Sequence, residues 1–254
     1  MKKNPIEVQH LNADDFRTAP FEKVILPLGS LESHGPHLPF GTDALTAYLV
    51  ALDIAARLPK TAVLPPVNYG VSEHYKNFSF TVTLSFETQI AVIRDILESV
   101  YREGIRKVFI MNGHDGNIAP IEVATRSAKV AHPDFRIVSL DAWWMMVGEV
   151  LPSDFFEVWK GLGHGGEGET SICLELFPEL CNPSKAAGVV PHLPKYLDVK
   201  WTFDELTDTG ATGDPTKATR EKGRKMREAL VDTMVKALSD LDAKDWDYRS
   251  PEIA

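Results

Sequence analysis

After its first residue the run Lys107-Val-Phe-Ile-Met111 is apolar throughout, and Asn112-Gly113-His114 follows it at once. A stretch this short and this apolar reads as a strand covered on both faces, a demand that a parallel sheet flanked by helices meets. Val24-Ile-Leu-Pro-Leu28 ends in the same manner at Gly29, and Arg136-Ile-Val-Ser-Leu140 is a third run of comparable length. Ala62-Val-Leu-Pro-Pro-Val67 is extended, its prolines marking an edge or a strand end. Phe80-Thr-Val-Thr-Leu84 alternates as a strand. Between these runs lie helical patterns: Asp43 to Leu58 with Thr42 or Asp43 as cap, Phe86 to Arg102 capped by Ser85, and about Ala119 to Val130. Two more follow, Glu169 to Leu180 and the long amphipathic Lys217 to Leu241. The order β-α-β-β-α-β-α-β-α predicts an α/β fold with a mainly parallel central sheet and helices on both faces. With no repeat and no linker, residues 1–254 are expected to form one domain. The irregular stretch from Lys185 to Asp214 reads as a loop-rich insertion or a partner surface.

Composition narrows the function. Of 254 residues, 44% are apolar and 25% charged, the balance of a globular protein, and the net charge of −9 argues against a broad nucleic-acid surface. Cys173 and Cys181 lie in one apolar stretch and read as buried thiols of a reducing compartment. Met1-Lys-Lys runs directly into Asn-Pro and polar residues, which is no signal sequence, and no apolar run reaches membrane-spanning length. The expectation is a soluble cytoplasmic protein with no nucleic-acid or membrane partner.

Chemistry is concentrated in three glycine-rich segments. Of the eight histidines, His34, His37, His114 and His164 lie in them, together with Glu32, Asp43 and Glu169. Glu32 and His34 are two residues apart, so on an extended backbone both side chains point to the same side. Asp43 stands at a helix start, where capping is the plain alternative to ligation. His114 follows a buried strand, at the sheet end where α/β proteins bind ligands. Neutral imidazole with carboxylate suits zinc, manganese or iron(II). The chain carries no Gly-x-Ser-x-Gly elbow, Walker loop or dinucleotide loop, so serine-hydrolase, nucleotidase and dehydrogenase chemistry are disfavoured.

Four segments together resemble the creatininase (creatinine amidohydrolase) family. They are Gly29-Ser-x-Glu32-x-His34-Gly-Pro-His37-Leu-Pro-x-Gly-Thr-Asp43, Asn112-Gly-His114-x-Gly-Asn117, His164-Gly-Gly-x-Gly-Glu169-Thr-Ser171 and Gly210-Ala-Thr-Gly-Asp-Pro215. The resemblance implies a three-layer α/β/α sandwich, a dinuclear metal centre, hydrolysis of C–N bonds in small substrates, and a cyclic homo-oligomer, commonly a hexamer. Carried over, Glu32 and His114 match ligands of one metal, His34 a ligand of the second, and Asp43 the bridge. His164 matches the acid/base beside the scissile bond. The chain departs from creatininase at Gly116, where that enzyme has an acidic ligand of the second metal. Members lacking the acid include formamidopyrimidine-type deformylases, a mycofactocin-precursor peptidase and hydrolases of cyclic diketones. Here Glu169 is expected to take its place.

The expected function is a metal-dependent amidohydrolase that uses two divalent ions to activate water against a small cyclic or formyl amide. His164 would carry the proton to the leaving nitrogen. His37, His74, Trp143 and Trp144 are candidate substrate-binding residues, with packing the plain alternative for the tryptophans. Lys76, Lys217 and Arg220 are cations that either meet an anionic group or face solvent. The contrasting reading is a non-catalytic, metal-stabilised assembly whose site only pins loops.

Overall fold

The structure is a computed structural model that describes residues 4–192, 194, 196–197 and 199–247. Its centre is a four-stranded sheet in the order β2-β1-β3-β4, every neighbouring pair parallel. β1 (Lys23–Leu28) is buried along its whole length and pairs with β2 (Thr61–Val63) on one side and β3 (Lys107–Asn112) on the other. β4 (Arg136–Leu140) is the more exposed edge. Alternate side chains of each strand feed two separate cores, as the strand period requires. Ile25, Val63, Phe109 and Met111 pack with α2 (Thr42–Ala55), α5 (Trp143–Val150), α6 (Glu167–Leu176) and α7 (Arg220–Asp242). Val24, Leu26, Val108 and Ile110 pack against α3 (Phe86–Arg102) and α4 (Ile118–Ala131) on the other face. A short α1 (Ala13–Thr18) with an Asn12–Asp15 capping box precedes β1. The result is the expected helix–sheet–helix sandwich.

Among the sequence expectations, the Ser85 cap and the helix behind it hold. Ser85 caps α3 by accepting from the Thr88 N–H, and α3 buries Gln89, Ile93, Leu97 and Val100 on one stripe. Salt bridges Lys23–Asp242 and Lys107–Asp245, each 2.6 Å, tie the end of α7 to the starts of β1 and β3.

Others are corrected. Phe80–Leu84 forms no strand of the sheet. It makes only isolated bridges, Val82 to Leu31 and Thr83 to Gly70, and Phe80 is 70% exposed with a φ of 59°. The segment laces loops together above the strand ends and has no neighbouring strand to pair with. The cap of α2 is Gly41, because the Thr42 hydroxyl donates to the Pro39 carbonyl and Asp43 turns inward. α6 starts at Glu167 and stops at Leu176, short of Pro178, and α7 starts at Arg220 behind its cap Thr219. α5 is a helix the strand-and-turn pattern did not announce. Cys181 is only half-buried, whereas Cys173 is fully buried. Among the described residues no helix is long and apolar enough to cross a membrane.

Candidate metal centre

The loops leaving the carboxyl ends of β1 and β3 meet the glycine-rich entry to α6. The first loop delivers Glu32 and His34, the first turn of α2 delivers Asp43, the end of β3 delivers His114, and α6 delivers Glu169. Gly113 makes this convergence possible, since a Cβ there would lie 2.3 Å from the Asp43 carbonyl oxygen. Asp43 stands between two histidines: its Oδ1 is 2.8 Å from His34 Nε2 and its Oδ2 is 3.1 Å from His114 Nδ1. Ser30 donates to Oδ2 at 2.5 Å and holds the carboxylate in this orientation. Glu32 Oε1 approaches His114 Nδ1 at 3.3 Å, and Glu169 Oε2 approaches His34 Nε2 at 3.8 Å. Two sets of three donors result, Glu32–Asp43–His114 and His34–Asp43–Glu169, with Asp43 common to both. His164 closes a further set with Glu32 and His34.

The partners of the histidines orient them. His114 donates from Nε2 to the Val71 carbonyl at 2.8 Å, which turns Nδ1 toward Glu32 and Asp43. His164 donates from Nε2 to the Ser33 carbonyl at 2.6 Å, so its Nδ1 faces the cluster, 3.7 Å from Glu32 Oε1. Its ring is sandwiched between those of His34 and Tyr75, at centroid distances of 4.0 and 4.2 Å.

Electrostatics mark the cluster as a place for positive charge. Burial opposes a proton on His34, yet the Asp43 and Glu169 carboxylates outweigh it and raise the group to about 10. Burial likewise disfavours charge on Asp43, but His34 and the bonds from His114 and His34 hold its carboxyl well below the usual range. Burial together with the neighbouring His34 pushes His164 down to about 3. Burial, against the pull of His34, lifts Glu169 to about 7. Both oxygens of Glu32 are buried with no hydrogen-bond partner. A buried carboxylate without donors is costly unless a cation meets it, so the residues present fit a divalent metal.

The cluster opens into a cavity of about 280 Å³ onto which Asp43, His114, His164 and Glu169 face. Trp143 and Trp144 both line it, Trp143 fully buried with its Nε1–H unpartnered. His37 and His74 are close by but not on the wall. His37 turns its Nε2 to the Gly165 carbonyl and the Thr170 hydroxyl, each at 3.0 Å, and fixes the glycine loop, while the His74 ring lies 6.2 Å from that of His114. Lys76 is exposed, and Lys217 and Arg220 pair with Glu157 and Glu175 at the surface. Sequence reasoning missed Tyr75, Trp159 and Phe203 as walls and Ser30 as the support of Asp43. Of these, Ser30 and Tyr75 adjoin singled-out residues and were within reach, whereas Phe203 sits in the irregular stretch with no local signal.

Gly116 has a steric cause. A Cβ there would lie 2.0 Å from the Val71 carbonyl oxygen and 2.7 Å from His114 Nε2, so no acidic side chain fits at that position. Glu167 is also spoken for: its carboxylate accepts from the N–H groups of Glu157 and Val158 and from Lys222 Nζ at 2.6 Å. Glu169 is the carboxylate that stands in the donor set with His34 and Asp43.

The chain is similar to known proteins over most of its length. The family model described as Creatininase, creatinine amidohydrolase, matches residues 9–238. The mycofactocin precursor peptide peptidase of Mycobacterium tuberculosis (strain ATCC 25618 / H37Rv) is 31% identical over 228 residues, covering 85% of this chain and 84% of its own. Creatinine amidohydrolase of Pseudomonas putida is 29% identical over 233 residues, covering 85% of this chain and 88% of its own. A solved structure described as "Creatininase Mn" superposes with a TM-score of 0.79 at 26% identity, covering 92% of this chain and 98% of its own.

Proposed function

The chain belongs to the creatininase family, and from that premise we propose that this amidohydrolase uses two divalent ions to cleave a C–N bond in a small cyclic or formyl amide. One observation carries the reading: two donor triads share Asp43 beside the orphaned carboxylate of Glu32. Glu32 and His114 would hold one ion, His34 and Glu169 the other, with Asp43 between them. The donor set, oxygen with imidazole and no thiolate, suits zinc, manganese or iron(II). When bound, such a pair lowers the pKa of water to about 7 and polarises a carbonyl. The chain's own part is to present the amide to that pair between aromatic walls and to move the proton. His164, with Nδ1 bare, accepts a proton at that atom and passes it to the leaving nitrogen.

The arrangement disfavours a purely structural metal site. A structural centre closes all its positions, whereas here four of the candidate residues face a cavity sized for a small substrate. We further propose a single catalytic domain that works as a homo-oligomer, a hexamer by family likeness. The exposed Phe40 and Phe80, with ring centroids 5.7 Å apart, support an apolar contact surface. The unpaired Cys173 and Cys181 support a cytoplasmic, reducing setting.

The test is chelation. Stripping the metal should abolish turnover on a panel of formyl amides, cyclic amides and short peptides, and returning manganese or zinc should restore it. Metal-loaded protein that is inert on the whole panel would overturn the enzymatic reading. Within the same assay Glu169→Gln should bind one ion per chain where the parent binds two, as read by elemental analysis. Two tightly bound ions in that variant would make Glu169 a mere acceptor for the Gly165 N–H, which it meets at 2.5 Å.

A further inference from the structure

One carboxylate on the cavity wall belongs to none of the donor sets. Asp115, the residue after His114, opens a short 3-10 turn that carries its side chain to the wall, where it stays exposed. Among the described residues no hydrogen bond or ion pair engages it. The described residues lining the cavity include no lysine or arginine. Lys160, beside the wall residue Trp159, is exposed and lies off the wall, and Lys222 is committed to Glu157 and Glu167. Tyr75, Trp143, Trp144, Trp159 and Phe203 present aromatic rings on the same wall.

We propose that this cavity selects amides carrying a cationic nitrogen group, with Asp115 as the specificity-determining residue that pairs with that group. A substrate filling so small a space takes water from the carboxylate and must replace it with a donor. A neutral, donor-free group leaves Asp115 desolvated and unpaired, and an anionic group such as a phosphate meets repulsion from Asp115 with no lysine or arginine on the wall to offset it. An ammonium, amidinium or guanidinium group satisfies the carboxylate and is attracted to the faces of the aromatic walls. The proposal rests on reading this cavity as the substrate site.

Binding tests it independently of turnover. Benzamidinium and its neutral counterpart benzamide are titrated into the metal-containing protein, followed by calorimetry and by the fluorescence of the wall tryptophans. Benzamidinium should bind roughly tenfold or more tightly than benzamide, the scale of a hydrogen bond to a charged group. Asp115→Asn, of nearly the same size, should erase the difference, and Asp115→Glu should restore most of it. Equal binding of the two probes by the parent, or a preference that survives in Asp115→Asn, overturns the proposal. Should the cation preference hold while the amide panel shows no turnover, the hydrolytic reading fails and the cation site stands.

Discussion

Asp43→Ala is expected to empty the site of metal and take turnover below detection. Its two oxygens reach in opposite directions, Oδ1 to His34 and Oδ2 to His114, and it is the one residue common to the Glu32–His114 and His34–Glu169 halves. Removing it deletes a ligand from both halves at once, and each is left with two protein donors that compete poorly with water. The metal-free protein should suffer as well. His34 and His114 are buried, and taking away the carboxylate that faces both breaks a buried pair, a change that costs about 3–5 kcal/mol. Asp43→Asn, which keeps size and one carbonyl acceptor, separates the effects: its melting temperature should fall less, while its metal content falls nearly as far. Elemental analysis, thermal melts and the amide panel provide the readouts. An Asp43→Ala protein with full metal and full rate would remove Asp43 from the centre.

The sequence made the candidate centre legible because each candidate ligand lies next to a signal of backbone geometry. Glu32 and His34 follow the apolar run of β1, and His114 follows that of β3. Parallel neighbours place both carboxyl ends on one side of the sheet, so the loops had to meet. Period and length also marked α3, whose Ser85 cap is a local feature. The failures share a cause too. Alternation in Phe80–Leu84 states a period but not a partner, and with no neighbouring strand the segment became a lace between loops. Asp43 stands at a helix start where cap and ligand compete in one dimension, and its place between His34 and His114 is a contact that no spacing reports. The walls come from residues as distant as Tyr75, Trp159 and Phe203, and nothing local announces that they share a cavity. Gly116 gave the opposite lesson. Its meaning lay in the Val71 carbonyl packed against it, a contact no spacing rule reports.

His164→Ala is expected to keep its metal and lose about 10²–10⁴-fold in rate, the usual contribution of one positioned acid–base group. The donation from Nε2 to the Ser33 carbonyl fixes the tautomer, so Nδ1 is the atom free to take a proton. Burial and the adjacent His34 keep the ring neutral near pH 7, which suits an acceptor at the first step. The imidazolium formed in turnover faces Glu32 Oε1 at 3.7 Å, a carboxylate able to stabilise it until the leaving nitrogen collects the proton. The ring also fills the gap between His34 and Tyr75, so the alanine variant leaves a slot bounded by two rings. Free imidazole added to that variant should therefore restore part of the rate, which loss of packing alone would not allow. Loss of metal from His164→Ala would assign the residue to the ligands instead, with Nδ1 bound to the ion that Glu32 or His34 holds.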